Sequence, residues 1–361
     1  MDFLIKKNII KKSKVIVDIG SKYIKILEVH YAGKKVTIAN AQKIDSTAMF
    51  QDDINYSDMA KEVSKAIGEQ KKCEVSVSLP AHLVESKIVT VKNKKQNDIP
   101  KLMEKEYAAM GRVSPLTHIL DYAYLGKKEE NSDTVHYSLV SAVQKNTMEQ
   151  LVEAFEEYGL KVTTVTFPAY NMICLSSLYY NDYENLNRLM IDFGNSGTRV
   201  VAFSGGIPVY ARNLDIGFQS YVEKLSAEQN SVGTTDIIKA LTNVGELSLL
   251  ENQQTQQYFN QLDKSVYYET IDHVSSRLIG ELERIIELCE HNGIGITKII
   301  YGGSVINGFD KRLKHLGFEV EQFNLDMCDD MQAKDFLLWI EEINVGSLYY
   351  NALGLAVSTM L

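Results

Sequence analysis

The sequence predicts an α/β protein of two related lobes, and two observations carry that prediction. Apolar strand-like runs alternate with amphipathic helical ones along 361 residues. The second observation is an internal echo. VIVDIGSKYIKI (15–26) aligns without gaps to LMIDFGNSGTRV (189–200), 174 residues later and close to half the chain. Asp18 matches Asp192, Gly20 matches Gly194, Ser21 matches Asn195 and Lys25 matches Arg199. Self-similarity at half-length reads as duplicated halves facing each other. At roughly 150 residues per domain the length also gives about two domains.

The elements follow in order. Residues 14–29 read as two β-rich runs around a Gly-containing turn. In 56–70, Met59, Val63 and Ile67 share one helix face. CEVSVSLP (73–80) alternates and stops at Pro80, as a strand does. Strand, helix, strand, strand then recur at 83–91, 100–110, 118–125 and 137–143, with NKKQND (93–98) and KKEENSD (127–133) as loops. TMEQLVEAFEEYGL (147–160) is an amphipathic helix with Thr147 as its expected cap and Gly159 as its terminator. A strand follows at 161–168, and three short strands with turns at GNSG and SGG fill 188–217. Residues 226–263 are rich in Gln, Asn, Ser and Thr and read as a small helical subdomain. A long helix is expected at 274–293, a strand with a double-glycine turn and helix at 298–309, and a strand at 318–324.

Composition narrows the function. At 45% hydrophobic and 24% charged, the chain can bury two cores, which excludes global disorder. A net charge of −9 lacks the basic footprint of a nucleic-acid binder. Cys73, Cys174, Cys289 and Cys328 are scattered with no CxxC pair, as reduced thiols in a cytoplasmic protein would be. The seven histidines show no metal spacing. The charge-free stretch 343–361 is diluted by Asn344, Asn351 and serines, so a buried final helix is expected there. The lysine-rich residues 1–14 read as a solvated leader before the first strand.

The echoed turns carry the chemistry. A glycine-containing hairpin turn aims backbone N–H groups at one point and makes an anion-binding concavity. Two such turns from opposite halves could clamp a polyphosphate. Asp18 and Asp192, each at a strand end, could hold Mg²⁺ through its waters. Lys22 adds a point charge in the first turn. In IIYGGS (299–304), glycines before a helix would let a flat ring approach the backbone.

These three segments, in this order, resemble the actin-like ATPase superfamily, and within it the PilM family of type IV pilus assembly. DIGSKYIKILEV, EVSVSLP, SAVQKNTMEQLVEAFEEYGLKVTTVTFPAYNMI and NALGLAV carry the closer resemblance. It implies a two-lobed actin-like (ribonuclease H-like) fold. The first half spans 1–187 with an FtsA/PilM-type inserted subdomain at about 81–146. The second spans 188–361 with the small helical subdomain at about 226–295. It implies ATP and Mg²⁺ between the halves. Asp18, Gly20, Ser21 and Lys22 would form the first phosphate loop, and Asp192, Gly194, Asn195, Ser196, Gly197 and Thr198 the second. Gly302, Gly303 and Ser304 would form the adenosine loop, and Glu281 and Arg284 match positions facing the nucleoside. Gly217 matches a phosphate-side glycine pair in which Phe218 stands for the second glycine.

The resemblance further implies a partner: the N-terminal cytoplasmic tail of a PilN-like inner-membrane protein, docked as an extended peptide near the inserted subdomain. It implies other pilus-platform components, self-association, a role in twitching motility, and a cytoplasmic protein held at the membrane by its partner. A sugar or small-acid kinase is the alternative within the superfamily, and an FtsA-like division protein is another. A kinase needs a carboxylate base beside the acceptor hydroxyl. The stretch TVTFPAYNMI (164–173) offers only Asn171, so no catalytic residue is assigned and slow ATP hydrolysis is the most expected. The uncharged end NALGLAVSTML lacks the amphipathic membrane helix of an FtsA-like protein.

Overall fold

The computed structural model of the chain describes residues 12–32, 35–50, 54–68, 73–92, 98–109, 113–130, 132–177, 186–229, 231–243, 261–304, 306, 308–324, 331–333 and 345–360. Residues 1–11 of the expected leader, Cys328 and the middle of the polar segment lie outside them, whereas residues 12–14 of that leader already belong to the first strand.

The first lobe opens on an antiparallel meander, β1 (Lys12–Ile19), β2 (Tyr23–Ala32) and β3 (Lys35–Asp45). Helix α1 (Tyr56–Ala66) then leads to β4 (Cys73–Ser78), parallel to β1. A three-stranded sheet follows, built from β5 (Val84–Lys92), β6 (His118–Glu130) and β7 (Asp133–Gln144), with α2 (Ile99–Ala109) packed on it. Helix α3 (Lys145–Glu157) returns the chain to β8 (Leu160–Thr166), parallel to β4, and α4 (Pro168–Ser176) follows.

The second lobe repeats the plan. Strands β9 (Arg188–Phe193), β10 (Thr198–Ser204) and β11 (Ile207–Leu214) form its meander. Helices α5 (Phe218–Glu228), α6 (Thr234–Asn243) and α7 (Lys264–His291) precede β12 (Lys298–Gly303), parallel to β9. Then come α8 (Phe309–Lys314), β13 (Glu319–Gln322), β14 (Met331–Ala333), α9 (Val345–Leu348) and α10 (Tyr350–Ser358). The sheets run β14-β3-β2-β1-β4-β8 and β11-β10-β9-β12-β13. Apart from β14 the two orders are equivalent strand for strand, so the echo in the sequence extends to the topology.

Both sheets are buried on both faces, which is why VIVDI and LMIDF are continuously apolar rather than alternating. Val15, Val17 and Ile19 pack outward against Met59 and Val63 of α1 and Phe155 of α3. Ile16 packs inward, in a core shared with Met190 and Ile300 of the second sheet and with α4 and α10 between the sheets. The outer face of the second sheet packs against α5, α6, α7 and α8. The final helix is buried as expected: Tyr31 Oη donates to Ala356 O at 2.9 Å. No helix among the described residues is long and apolar enough to cross a membrane.

Several local expectations are corrected. KKEE (127–130) is strand, the far end of β6. Helix α3 starts at Lys145 straight out of β7, so its cap position is Gln144, without a side-chain bond, and Thr147 lies inside it. Helix α7 starts ten residues earlier than its expected range, where Asp263 caps the N–H groups of Ser265 and Val266. Gly302 and Gly303 end β12 rather than forming a free turn.

The thiols give a first expected result. Burial raises the Cys174 thiol to about 12 and the Cys289 thiol to about 11, whereas Cys73 is only half-buried and less shifted. Thiolate is the reactive form. Iodoacetamide at about pH 8 should therefore modify Cys73 in the native protein and reach Cys174 and Cys289 only after denaturation, as read by peptide mass spectrometry. Rapid native labelling of Cys174 would contradict the packing of α4.

Candidate functional site

Parallel strands collect functional groups at their carboxyl ends. Here β1 ends on Asp18 and Ile19, β4 on Ser78, β9 on Asp192 and Phe193, and β12 on Gly303. The ends of β1, β9 and β12 and the two echoed turns line one cleft between the lobes. Of the expected residues, Asp18, Gly20, Ser21, Lys22, Asp192, Gly194, Asn195, Ser196, Gly303 and Ser304 all face it.

The turns touch. Asn195 Nδ2 donates to Ser21 Oγ at 3.1 Å, joining the two positions that the echo makes equivalent. The first turn is closed by Gly20 N donating to Tyr23 O at 3.1 Å and is braced by Ser46, whose Oγ donates to Gly20 O at 2.6 Å. The second is closed by Gly194 N donating to Gly197 O at 3.0 Å. The cleft encloses about 50 Å³, room for a few waters, so a ligand of nucleotide size would have to part the turns.

Other expected residues support the cleft from behind. A Cβ on Gly217 would lie 2.5 Å from Asn195 O and from Gly197 N, so only glycine lets α5 abut the second turn. Phe218 N and Gln219 N donate to Gly194 O and Asn195 O, which spends those donors inside the protein. Phe218 is a core residue, with Lys22 Nζ 4.4 Å from its ring centroid. Gly197 abuts Leu214 O, and Thr198 Oγ1 donates to Ile216 O at 2.6 Å. Gly302 lies against the Tyr350 ring rather than in the cleft. Gly303 has φ +97°, and a Cβ there would meet Phe193 O at 2.3 Å.

Glu281 and Arg284 are not brought to the cleft. They pair with each other on α7, and Glu281 also meets Arg212 of β11 at 3.3 Å.

The charges are arranged as cross-strand pairs. Asp18 stands opposite Lys25 and Asp192 opposite Arg199. Lys25 Nζ is 3.1 Å from Asp18 Oδ2. Asn351 of α10 donates to Asp18 Oδ1 at 2.5 Å and to Ser78 Oγ at 3.0 Å, and its own carbonyl accepts from Asn171 at 2.8 Å. This buried network was not anticipated; its signal is the polar Asn351 inside the apolar run of the final helix. Burial pushes the Asp192 carboxyl above its usual range, against the opposing pull of Arg199 and Lys25. Mg²⁺ expected on Asp18 and Asp192 does not fit this donor set, since both carboxylates already face cations. Among the described residues no group of three or more His, Cys, Asp or Glu could hold a metal ion. Among the described residues lining the cleft the carboxylates are Asp18 and Asp192.

A second concavity lies beneath the inserted sheet. Strand β8 ends the six-stranded sheet and β6 ends the three-stranded one. Between them runs a groove of about 570 Å³, lined by Ile119, Tyr122, Val143, Val162, Phe167 and Tyr170 among others, with Asp121 as the charged residue of its described lining. Ile119 and Tyr122 are exposed. Unpaired strand edges beside apolar pockets suit an extended peptide. On its other side the inserted sheet reaches the second lobe: Lys128 Nζ donates to Ser204 Oγ, and Ile207 packs on Gly126.

The family model of the type IV pilus assembly protein PilM matches residues 16–246. Among curated proteins no sequence matches the chain. Among solved structures, one described as a PilM-PilN type IV pilus biogenesis complex superposes with a TM-score of 0.76 at 17% identity, over 97% of this chain and 99% of the matched one. The ethanolamine utilization protein EutJ from Carboxydothermus hydrogenoformans gives a TM-score of 0.50 at 12% identity, over 96% and 89%. The fold is the two-lobed actin-like one with an inserted subdomain.

Proposed function

The chain belongs to the PilM family of type IV pilus assembly proteins, and on that premise we propose that it is a cytoplasmic adaptor of the pilus platform. In this reading the groove between β8 and β6 takes the N-terminal cytoplasmic tail of a PilN-like membrane protein, which holds the adaptor at the membrane. The cleft takes a nucleotide between the lobes. The groove carries the reading: it offers two strand edges and an apolar floor to an extended segment. The similarity to the PilM-PilN complex supports that choice of occupant. A kinase finds no support, because Asn171 is fully buried and bonded to Ser78 and Asn351. A membrane-attaching final helix finds none either, because α10 is packed between the sheets.

The test is binding of a synthetic PilN-like tail peptide, read by fluorescence anisotropy. Ile119→Asp should weaken it at least about tenfold, or about 1.4 kcal/mol, while ATP binding stays intact. Ile119 is 43% exposed, so the change spares the core. An unchanged affinity would move the peptide site elsewhere.

A further inference from the structure

The cleft presents three cations and two carboxylates: Lys22, Lys25 and Arg199 against Asp18 and Asp192. Its lining is therefore net positive by one charge when all five are ionised, before any metal ion enters. A carboxylate-lined phosphate site needs a divalent cation to offset repulsion between the carboxylates and the phosphates. Here that offset is built from the chain.

We propose that the cleft takes its nucleoside polyphosphate as the free anion, with Lys25 and Arg199 in the place of a divalent cation. The inference rests on the reading of the cleft as a nucleotide site.

Three observations carry it. Each cation is the direct cross-strand neighbour of a carboxylate, Lys25 of Asp18 and Arg199 of Asp192. Opposite charges at directly opposed positions stabilise an antiparallel pair and hold each other in place. Both couples lie within a single hairpin, β1–β2 or β9–β10, so they persist when the lobes part to admit a ligand. Finally, both Asp18 oxygens are engaged, Oδ2 by Lys25 at 3.1 Å and Oδ1 by Asn351 at 2.5 Å, so a hydrated metal ion would have to displace protein donors. Arg199 is further pinned over the second turn, where Nη1 donates to Gly197 O at 2.8 Å. A guanidinium in that position offers phosphate oxygens charged donors with fixed geometry.

The experiment is calorimetric titration of the full chain with ATP, once in EDTA and once in excess Mg²⁺. The two dissociation constants should agree within about threefold. A loss of more than about tenfold in EDTA would overturn the proposal. Absence of binding in both buffers would instead overturn the nucleotide reading on which it rests. Lys25→Ala gives a second readout, because it frees Asp18 Oδ2. In that variant Mg²⁺ should tighten ATP binding at least about tenfold over EDTA. Equal binding of the variant in both buffers, at wild-type strength, would show that Lys25 does not stand in for the metal. The wild-type comparison needs no substitution, so it decides the question even where the variant folds poorly.

Discussion

Gly354→Ala should destabilise the protein by about 3 kcal/mol, at the upper end for overpacking a tight contact. Glycine to alanine inside a helix ordinarily stabilises, by about 0.5–1 kcal/mol. Here the sign reverses because of where α10 crosses α4. A Cβ at 354 would lie 2.2 Å from Asn171 O and 2.5 Å from its carbonyl carbon. That obstacle is backbone, so the two helices have to separate. They fill the space between the sheets, so the cost spreads into the shared core of both lobes. The matched control is Gly280→Ala on α7, where nothing lies within 4 Å of the added carbon. It should raise stability by about 0.5–1 kcal/mol. Urea denaturation of both variants makes the comparison, and shifts of the same sign would contradict the close crossing.

Asn351→Ala should cost about 2–4 kcal/mol, because it strips a buried charged acceptor and a buried amide of partners together. Asp18 is 3% exposed and loses the donor to its Oδ1. Asn171 loses the acceptor it reaches at 2.8 Å. Asn351→Asp tests the electrostatic part. It sets a second carboxylate against Asp18, so its protonated form is favoured in the folded state and its folded pKa rises. The deficit should then be smallest below about pH 4, the unfolded carboxylate value, and grow as the pH climbs through the raised one. Denaturation midpoints between acid and neutral pH would show this. A deficit independent of pH would mean that the side chain at 351 does not face Asp18.

The cleft was legible because its chemistry is written twice. Asp18 and Asp192 lie at the ends of apolar strands and precede turns with the same glycine, and the pairing of Lys25 and Arg199 with them follows from the hairpin register. What escaped was set by tertiary packing. Strand β3 is polar enough at Asn40, Gln42 and Lys43 to hide its pairing with β2. The charges of KKEE disguise strand because that stretch extends β6 at the edge of a sheet, where both faces accept polar residues. Gly302 and Gly303 look alike in sequence, yet one is kept small by the Tyr350 ring and the other by Phe193 O and Asp192. Glu281 and Arg284 sit three apart on a helix face, and that spacing says nothing about which neighbour the face meets. Glu281 meets Arg212, from a strand far away in sequence, and Arg284 turns to Glu281.

The bond between Ser21 and Asn195 has a consequence for how the cleft would be filled. It ties the two lobes together across the cleft. A polyphosphate lying between the turns, as proposed, would exchange one bridge for another instead of joining two loose parts. On the proposed nucleotide reading that bond would have to release before the cleft fills, so the binding rate should level off at high ligand concentration.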